Sequence, residues 1–302
     1  MADHTTYGLV CSELSEDLSK TNLGELKLDS FQDNSVQIKI KAASLNFPDL
    51  LMTQGKYQNR PNLPFALGME GAGIVEKVGS GVSSFKEGDE VMFGGWGHGA
   101  IAESIILPEG LVSLKPKSLN FSEAASFKTA YLTAYVGLIR RGELKQGETL
   151  LVHGASGGVG MAAVQMGKLY GAKVIASGTS DEKLKIVKTW GADEIINTGL
   201  EGSVSFREEV KDLTEGKGAD VIYDPVGGDV FDESIRCINW GGRLLIIGFT
   251  SGRIPTVPVN YPLIKGFSVI GVRAGEFGRR DPEKVRENNE IIMEFAESCL
   301  FY

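Results

Sequence analysis

The stretch TLLVHGASGGVGMAAVQ, residues 149–165, joins a short apolar run to four glycines and then to a helix-forming segment. Residues 149–153 are apolar and branched enough to form a buried parallel strand, which need not alternate. Apolar side chains then recur at helical spacing, at Val159, Ala162, Ala163, Met166 and Tyr170. In a strand, glycine turn and helix in this order, bare backbone amides and the helix dipole face an anion together. The stretch therefore predicts a turn that can bind phosphate.

Downstream segments place this turn in a larger sheet. Further strand candidates are separated by helix-length segments, and they occupy residues 173–177, 194–196, 219–224, 243–248 and 267–272. Gly171, Gly191 and the pair Gly241–Gly242 lie where the intervening helices should end. Six strands alternating with helices predict a doubly wound parallel α/β sheet, which binds ligands at the carboxyl ends of its strands. A glycine turn alone also fits a sharp connection, and it is this sheet context that favours dinucleotide binding.

Composition limits the partners and the setting. The 302 residues suffice for two domains, and a net charge of −8 without any Lys/Arg run predicts no nucleic-acid partner. Cys11, Cys237 and Cys299 lie far apart, which gives neither a disulfide framework nor a zinc ribbon. The acidic N-terminal segment lacks the pattern of a signal or transit peptide, and no apolar run is long enough to span a membrane. We therefore expect a cytoplasmic protein with no membrane association.

The end of the second strand bears on which dinucleotide binds. NAD-selective folds usually carry an acidic residue there, about 20 residues past the glycine turn. Here the residues 176–179 read ASGT, without a carboxylate, while Ser177, Thr179 and Lys183 offer hydroxyls and a cation to a 2′-phosphate. The sequence thus favours NADPH over NADH.

The same residues also have a purely structural interpretation. Thr179 and Glu182 fit a capping box for the helix that starts near Ser180, and Lys183 fits an ordinary solvated surface position. Asp181 and Glu182 would repel a phosphate unless their carboxylates point away. The two interpretations stay open at this point.

Ordered motifs along nearly the whole chain add a family resemblance. Beside the glycine stretch, they are ASLNFPD at 43–49, GKY at 55–57, GMEGAG at 68–73, residues 79–82, GDEV at 88–91, LTAY at 132–135, DPVGG at 224–228 and residues 272–282. With these motifs the chain resembles the medium-chain dehydrogenase/reductase superfamily, and within it the zinc-free quinone oxidoreductases, the zeta-crystallin-like group.

The resemblance implies a domain organisation. A GroES-like β-barrel domain would span residues 1–120, a Rossmann-type dinucleotide-binding domain 121–272, and a C-terminal return segment 273–302. Independently of the resemblance, Val36, Ile38 and Ile40 alternate with polar residues, the pattern of a half-buried strand. The predicted fold class is therefore α/β, with a doubly wound parallel sheet and an N-terminal β-barrel.

The resemblance also implies that no zinc is bound. Asn46 stands where zinc alcohol dehydrogenases of the superfamily have a cysteine, and Met69 stands where they have a histidine. The histidines His4, His98 and His153 are scattered, whereas a catalytic zinc needs three ligands close together. Hydride addition to an electron-poor acceptor such as a quinone or conjugated enone can proceed with hydrogen bonding alone.

Site residues follow from the same resemblance. It implies that Asn46 and Asp49 lie near the nicotinamide and that Tyr57 covers the substrate side. It assigns cofactor contacts to Thr133, Ala155, Gly157, Gly158, Val159, Ser177, Lys183, Val226, Gly248 and Phe249. Plainer roles stay open, because Asp49 could cap a short helix, Tyr57 and Phe249 could pack in a core, and Thr133 could bond its own backbone.

Two departures from the family pattern bear on activity. Asn197-Thr198 occupies the place of a tyrosine that often contacts the 2′-phosphate, which predicts weaker NADPH affinity. Relatives continue for several dozen residues past the helix predicted at 284–298, so the ending resembles a truncated product with an incomplete barrel. We expect retained NADPH binding with weak turnover for such a chain.

The predicted activity is NADPH-dependent reduction of quinones or conjugated carbonyls, with the acceptor chosen by the loops around Tyr57 and Trp96. The alternatives are a reductase of enoyl thioesters and a cofactor-binding protein with little catalysis. Relatives pair through the edge of the cofactor sheet, so residues 267–272 predict a homodimer, although core burial of that strand explains its apolar character equally well.

Overall fold

A computed structural model describes residues 5–95, 97–199 and 206–298. The chain forms two compact units, residues 1–129 and 130–302, and the division falls within the helix of residues 121–135. His4, Trp96, Cys299 and the end of the predicted return segment lie outside the described residues.

The first unit is built mainly of antiparallel strands. Its strands are β1 (Thr5–Cys11), β2 (Thr21–Lys27), β3 (Ser35–Ser44), β4 (Phe65–Ala66), β5 (Glu70–Val78), β6 (Glu90–Gly94), β7 (Ser104–Pro108) and β8 (Val112–Leu114). They form a sheet of order β2-β1-β4 and a sheet of order β7-β3-β5-β6-β8. Its helices are α1 (Phe47–Thr53), a 3₁₀ turn (Glu109–Leu111) and the start of α2 (Phe121–Tyr135).

Alternation in sequence explains how the larger of these sheets packs. Val36 and Ile38 on β3 are fully buried, and they pack with residues of the neighbouring strands such as Val75, Val91 and Leu107. The predicted β-rich first domain is therefore confirmed, with the strand over Val36 lying in the middle of a sheet between β5 and β7.

The second unit contains the predicted parallel sheet. Its strands are β9 (Thr149–Val152), β10 (Lys173–Gly178), β11 (Glu194–Asn197), β12 (Ala219–Asp224), β13 (Ile238–Ile246) and β14 (Ser268–Gly271). Its helices after α2 are a π-helical turn (Val136–Arg141), α3 (Gly158–Leu169), α4 (Asp181–Thr189), α5 (Arg207–Leu213), α6 (Gly228–Cys237), α7 (Asn260–Lys265), α8 (Ala274–Arg280) and α9 (Pro282–Glu297). The strand order β11-β10-β9-β12-β13-β14 is the doubly wound order 3-2-1-4-5-6.

This order explains the apolar run at the opening of the glycine stretch. β9 is central, paired in parallel with β10 on one side and β12 on the other. Leu150, Leu151 and Val152 are all 0 % exposed, because both faces of a parallel sheet are covered by helices. The predicted α/β fold is confirmed.

Two of the three predicted glycine helix ends are found. Gly171 and Gly191 follow α3 and α4 with φ of +76° and +120°, the left-handed region that glycine tolerates. The third was wrong, because α6 ends at Cys237 and the pair Gly241–Gly242 lies inside β13. The pairing of β12 with β13 shifts register there, passing from Ala219 opposite Ile238 to Val221 opposite Arg243. The glycines thus accommodate a bulge rather than a helix end.

The helices of the described ranges also bear on membrane insertion. None of these helices has both the length and the apolar character that a bilayer crossing requires.

Candidate functional site

The glycine turn connects β9 to α3 at the carboxyl end of the central strand. Gly154 has φ of +55°, and Ser156, Gly157 and Gly158 are exposed. Gly157 is the N-cap of α3, and its position provides no side chain to cap the helix. The first amides of a helix have no partner within the helix. The turn therefore presents exposed N–H donors at the positive end of the helix dipole.

Space around the glycines separates those that the fold needs from those that a ligand needs. A Cβ on Gly160 would lie 2.3 Å from the carbonyl oxygen of Gly154, so the fold itself requires glycine there. A Cβ on Gly158 would meet nothing within 4 Å, and one on Gly157 would meet only the Gly154 oxygen, at 3.4 Å. Since neither residue has positive φ, nothing in the chain demands glycine at 157 or 158. The bare surface there fits a diphosphate that approaches the backbone closely.

A buried hydrogen-bond chain lies directly before the turn. His153 is 1 % exposed, with Nδ1 2.7 Å from Ser177 Oγ and Nε2 2.8 Å from Ser234 Oγ. Ser234 donates its own hydroxyl proton to the Val230 carbonyl oxygen at 2.7 Å, so it accepts from His153 Nε2–H. Nδ1 of the neutral ring is then an acceptor, and the Ser177 hydroxyl donates to it. Burial lowers the pKa of His153 to about 3, which keeps the ring neutral.

The hydrogen-bond chain through His153 changes the interpretation of one predicted cofactor contact. Ser177 is 2 % exposed and its hydroxyl proton points at His153, so it has no donor to offer a 2′-phosphate. The backbone of Ser177 instead accepts a hydrogen bond from Ala155 N–H at 3.0 Å, which ties the turn to β10. Ala155 is itself 0 % exposed, so both residues support the turn from below rather than facing solvent.

The segment after β10 contains the predicted phosphate contact Lys183. The N-cap of α4 is Ser180, whose hydroxyl accepts from Lys183 N–H, so the capping box at Thr179 and Glu182 is not the one that forms. The Lys183 side chain is exposed in the first turn of α4. Asp181 accepts a 2.6 Å hydrogen bond from the Asn197 amide, which directs this carboxylate toward the end of β11.

Val226, Gly248 and Phe249 come together at the carboxyl ends of β12 and β13. A Cβ on Gly227 would lie 2.8 Å from Phe249 Cδ1, and one on Gly154 would lie 3.3 Å from Val226 Cγ2. The two loops are joined by Ser251 N–H, which donates to the Val226 carbonyl oxygen at 3.0 Å. The structure thus brings these predicted residues beside the glycine turn.

Thr133 is half-buried on α2 of the same unit.

Asp224 was not predicted as a site residue. It ends β12 at 1 % exposure, and one carboxylate oxygen accepts the N–H groups of Val226 at 2.8 Å and Gly227 at 2.9 Å. Its other oxygen is buried and has no hydrogen-bond partner. Burial raises the pKa of Asp224 to about 6. An Asp directly before a Pro-Val-Gly-Gly turn was the available signal, since Asp commonly bonds the backbone two residues on.

In the first unit, Asp49 has the plainer of the two roles left open for it. It is 1 % exposed, and its two oxygens accept Asn46 N–H at 2.7 Å and Gly68 N–H at 2.9 Å. Asp49 therefore caps α1 and fastens this helix to the segment before β5. Burial is the main cause that raises its pKa to about 6, with a smaller contribution from the charge of Glu70. Contact of Asp49 with a reacting group stays a prediction.

Asn46 lies beside a buried carboxylate that sequence reasoning missed. Glu70 is 1 % exposed and accepts hydrogen bonds from Asn46 Nδ2 at 2.9 Å, Ser44 Oγ at 2.8 Å and Thr129 N–H at 2.8 Å. The motif at 68–73 contains Glu70 but does not show its bonds, because the donors at 44–46 and at Thr129 are far from it in sequence. Tyr57 is half-buried against the apolar cluster of Cys11, Met52, Phe65 and Leu67.

The arrangement of His, Cys, Asp and Glu side chains bears on metal ligation. Over residues 5–95, 97–199 and 206–298, no three His, Cys, Asp or Glu side chains are grouped so that they could hold a metal ion. His98 lies against Phe65 with ring centroids 5.9 Å apart and the rings tilted by 60°, and His153 has both nitrogens bonded to serines. Absence of zinc from the protein stays a prediction for metal analysis.

Comparison with known proteins agrees with this architecture. Residues 32–117 match the family described as "Alcohol dehydrogenase GroES-like domain", and residues 158–292 match "Zinc-binding dehydrogenase". A "Quinone oxidoreductase-like protein 2 homolog" of Nematostella vectensis is 37 % identical over 291 residues, covering 96 % of this chain and 78 % of that protein.

Solved structures match over nearly the whole chain. A quinone oxidoreductase of Pseudomonas syringae pv. Tomato DC3000 has a TM-score of 0.88 at 30 % identity, covering 98 % of this chain and 90 % of that one. The Escherichia coli quinone oxidoreductase complexed with NADPH has a TM-score of 0.83 at 28 % identity, covering 99 % and 89 %. The enoyl reductase CurK has a TM-score of 0.84 at 27 % identity, covering 96 % and 87 %.

A GroES-like unit together with a doubly wound parallel sheet defines an oxidoreductase of the medium-chain dehydrogenase/reductase class. Within that superfamily, the chain belongs to the quinone oxidoreductase-like proteins.

Proposed function

We propose that the protein reduces quinones or related conjugated carbonyls with NADPH, by hydride transfer and without a metal. The observation that carries this proposal is the pair Gly157–Gly158, which the fold does not need as glycines and which leaves the backbone bare at the start of α3. A diphosphate is the ligand that such a turn accepts best. The relatives named as quinone oxidoreductases support the choice of acceptor.

The residues of the second unit would hold the cofactor in a defined order. The N–H groups of Gly158 and Val159 would bind the diphosphate beside the bare backbone of Gly157, whose own N–H donates to the Gly154 carbonyl oxygen at 3.0 Å. Val226, Gly248 and Phe249 would bind the ribose and nicotinamide half, with Thr133 at the carboxamide. When bound, the nicotinamide supplies the hydride. The chain's own task is to hold the ring against the acceptor and to exclude water.

Selectivity for NADPH falls mainly to Lys183 in this proposal. Its ammonium is exposed beside the end of β10, while Ser177 is turned inward. Asp181, one of two acidic residues in the same helical turn, is bonded to Asn197, which reduces its repulsion of a phosphate. The NADPH-bound structure of the Escherichia coli relative supports the assignment of this cofactor.

We expect Lys183→Ala to raise the Kd for NADPH about tenfold, the typical effect of losing one hydrogen bond to a charged group. The Kd for NADH should stay within about twofold, because NADH has no 2′-phosphate. Lys185→Ala, an exposed lysine on the same helix, is the matched control. Fluorescence titration of both cofactors measures the effect, and equal losses for NADPH and NADH would rule out the assignment.

The activity itself is tested by NADPH oxidation with a panel of ortho- and para-quinones, enones and crotonyl thioesters. Turnover of quinones above thioesters supports the proposal. The similarity to CurK makes thioester reduction the second candidate, and preference for the thioester would replace the first. Binding of NADPH with no turnover on any acceptor would identify a cofactor-binding protein with little catalysis.

We also propose that two copies pair through the edge of the parallel sheet. β14 is the outermost strand, and its Val269 is 37 % exposed. Val259, Leu263 and Ile264 on and beside α7 are exposed as well, and an apolar sheet edge invites pairing with another strand.

Val269→Lys should convert a dimer to a monomer, since a charge on an edge strand opposes pairing. The matched control is Leu23→Lys on β2, an exposed leucine on the edge strand of a different sheet. Sedimentation measures the mass of both variants. A wild-type protein that sediments as a monomer would end this proposal.

A further inference from the structure

Glu70 joins three segments of the first unit through one buried carboxylate. One oxygen accepts from Ser44 Oγ at the end of β3 and from Asn46 Nδ2 at the start of α1. The other accepts from the backbone N–H of Thr129 on α2. Every partner donates, so the group accepts throughout and needs no proton of its own. The ammonium of Lys128, 8 % exposed, lies near enough for its charge to interact with that of Glu70.

This arrangement determines how the Asn46 amide is turned. A carboxylate can only accept, so the amide nitrogen must face Glu70. The same nitrogen also donates to Ser44 Oγ at 3.4 Å, and Ser44 in turn donates to Glu70. Both amide hydrogens are directed into the unit. The amide oxygen takes part in the capping box with the Asp49 N–H, and its second lone pair is what Asn46 can offer to a ligand.

We propose that Glu70 is a positioning residue for the reduction, which holds the Asn46 amide in one orientation and fixes it relative to α2. The proposal rests on the proposed function, in which Asn46 contacts the reacting groups. Asn46 would then accept a hydrogen bond from a ligand hydroxyl or amide, and it would not donate one to the carbonyl oxygen of the acceptor.

The variant Glu70→Gln tests this directly. A glutamine keeps the shape but places its NH2 group either against Ser44 Oγ and Asn46 Nδ2 or against the Thr129 N–H. Asn46 loses its acceptor in the first case, and in the second the group that holds it loses its bond to α2. We expect kcat to fall about 10- to 100-fold, the scale of a small misplacement of a catalytic group. The Kd for NADPH should stay within about twofold, since the second unit holds the glycine turn.

A double-mutant cycle separates positioning from mere stabilisation. If Glu70 acts through Asn46, then kcat of Glu70→Gln/Asn46→Ala equals that of Asn46→Ala alone, because the partner is already gone. Losses that multiply would overturn the proposal. The matched control is Glu109→Gln, in which a carboxylate of the same unit accepts from the N–H groups of Ser83 and Ser84. It should keep wild-type kcat.

A second variant covers the case in which Glu70→Gln does not fold. Asn46→Asp has nearly the same size and places two carboxyl groups at hydrogen-bond distance, where they must share one proton. Its kcat should therefore fall as the pH rises and the shared proton is lost, in addition to any step that Asp49, whose pKa burial raises to about 6, gives in both proteins. An Asn46→Asp pH profile that matches wild type would contradict the proposal.

Failure of the proposed function is seen separately. Absence of turnover with every quinone in wild type counts against that function alone. The side-chain amide signals of Asn46, observed by NMR in protein labelled with ¹⁵N-asparagine and assigned with Asn46→Ala, report its orientation without turnover. They should shift in Glu70→Gln and not in Glu109→Gln, and unchanged signals in Glu70→Gln would overturn the positioning role.

Discussion

Gly158→Asp is expected to raise the Kd for NADPH about 100-fold or more while leaving the fold intact. A side chain at this position meets nothing within 4 Å, and its φ is not in the left-handed region, so the chain accepts it without strain. An aspartate in the first turn of α3 even interacts favourably with the helix dipole. The same carboxylate occupies the place of the diphosphate and repels it, and a loss of 100-fold corresponds to about 2.7 kcal/mol.

The measurement pairs a binding titration with thermal unfolding. Gly275→Asp is the matched control, because Gly275 also lies in the first turn of a helix, α8, with open space at its Cβ. It should keep both the wild-type Kd and the wild-type Tm. Gly160→Ala gives the opposite result, with loss of stability, since its Cβ would meet the Gly154 carbonyl oxygen at 2.3 Å. Full NADPH affinity in Gly158→Asp would show that the diphosphate binds elsewhere.

His153→Leu is expected to destabilise the protein most at neutral pH and much less at pH 5. Removal of the ring leaves the buried Ser177 hydroxyl without its acceptor, which costs about 1–3 kcal/mol, beside the loss of packing against Phe206. The pH dependence arises because burial lowers the pKa of His153 to about 3, from an ordinary value of 6.5. As the pH falls below 6.5, the unfolded chain therefore takes up this proton first.

The stabilisation that neutral His153 provides is thus complete above pH 6.5 and is lost as the pH falls toward about 3. Between pH 6.5 and pH 5 wild type loses about 2 kcal/mol through this residue, and the variant loses none of it. Asp49 and Asp224 act with the opposite sign, because burial raises each pKa to about 6 and the folded chain takes up those protons first. Wild type and His153→Leu both contain these aspartates, so their contribution to the pH dependence cancels in the comparison.

Urea unfolding of wild type and His153→Leu at pH 7.5 and pH 5 measures the two differences. The stability gap should narrow by about 2 kcal/mol at the lower pH. Ser234→Ala is the control, since it removes one partner of His153 and leaves the titrating ring in place. The difference in unfolding free energy between wild type and Ser234→Ala should therefore be as large at pH 5 as at pH 7.5. A gap for His153→Leu of the same size at both pH values would mean that the ring is not held neutral.

Local patterns were enough to predict most of the parallel sheet. The strand of residues 219–224 was predicted at its observed bounds, and β9 and β10 differ from prediction by one residue at one end. Such strands are continuous apolar runs between helices, which the sequence displays directly. β13 was predicted to begin at Arg243 but begins at Ile238, because its first residues include a glycine pair at a bulge that carries no strand pattern.

The candidate site divides in the same way. The glycine turn was visible because a turn that binds through its backbone needs glycines next to each other in sequence. The direction of the Ser177 hydroxyl could not be predicted, because it depends on His153 and on the bond of His153 to Ser234. His153 lies 24 residues from Ser177 and 81 residues from Ser234 in sequence. Glu70 was missed for the same reason.

By itself, the sequence determined a parallel α/β sheet, a glycine turn at its centre and the family to which the chain is similar. These features depend on periodicity and on adjacent residue types, which can be recognised in the linear sequence. Only the tertiary structure decided that Gly158 has free space while Gly160 has none, that Ser177 faces inward and that Glu70 accepts a hydrogen bond from Asn46. Burial and hydrogen-bond direction are properties of contacts between distant segments, and they exist only once the chain has folded.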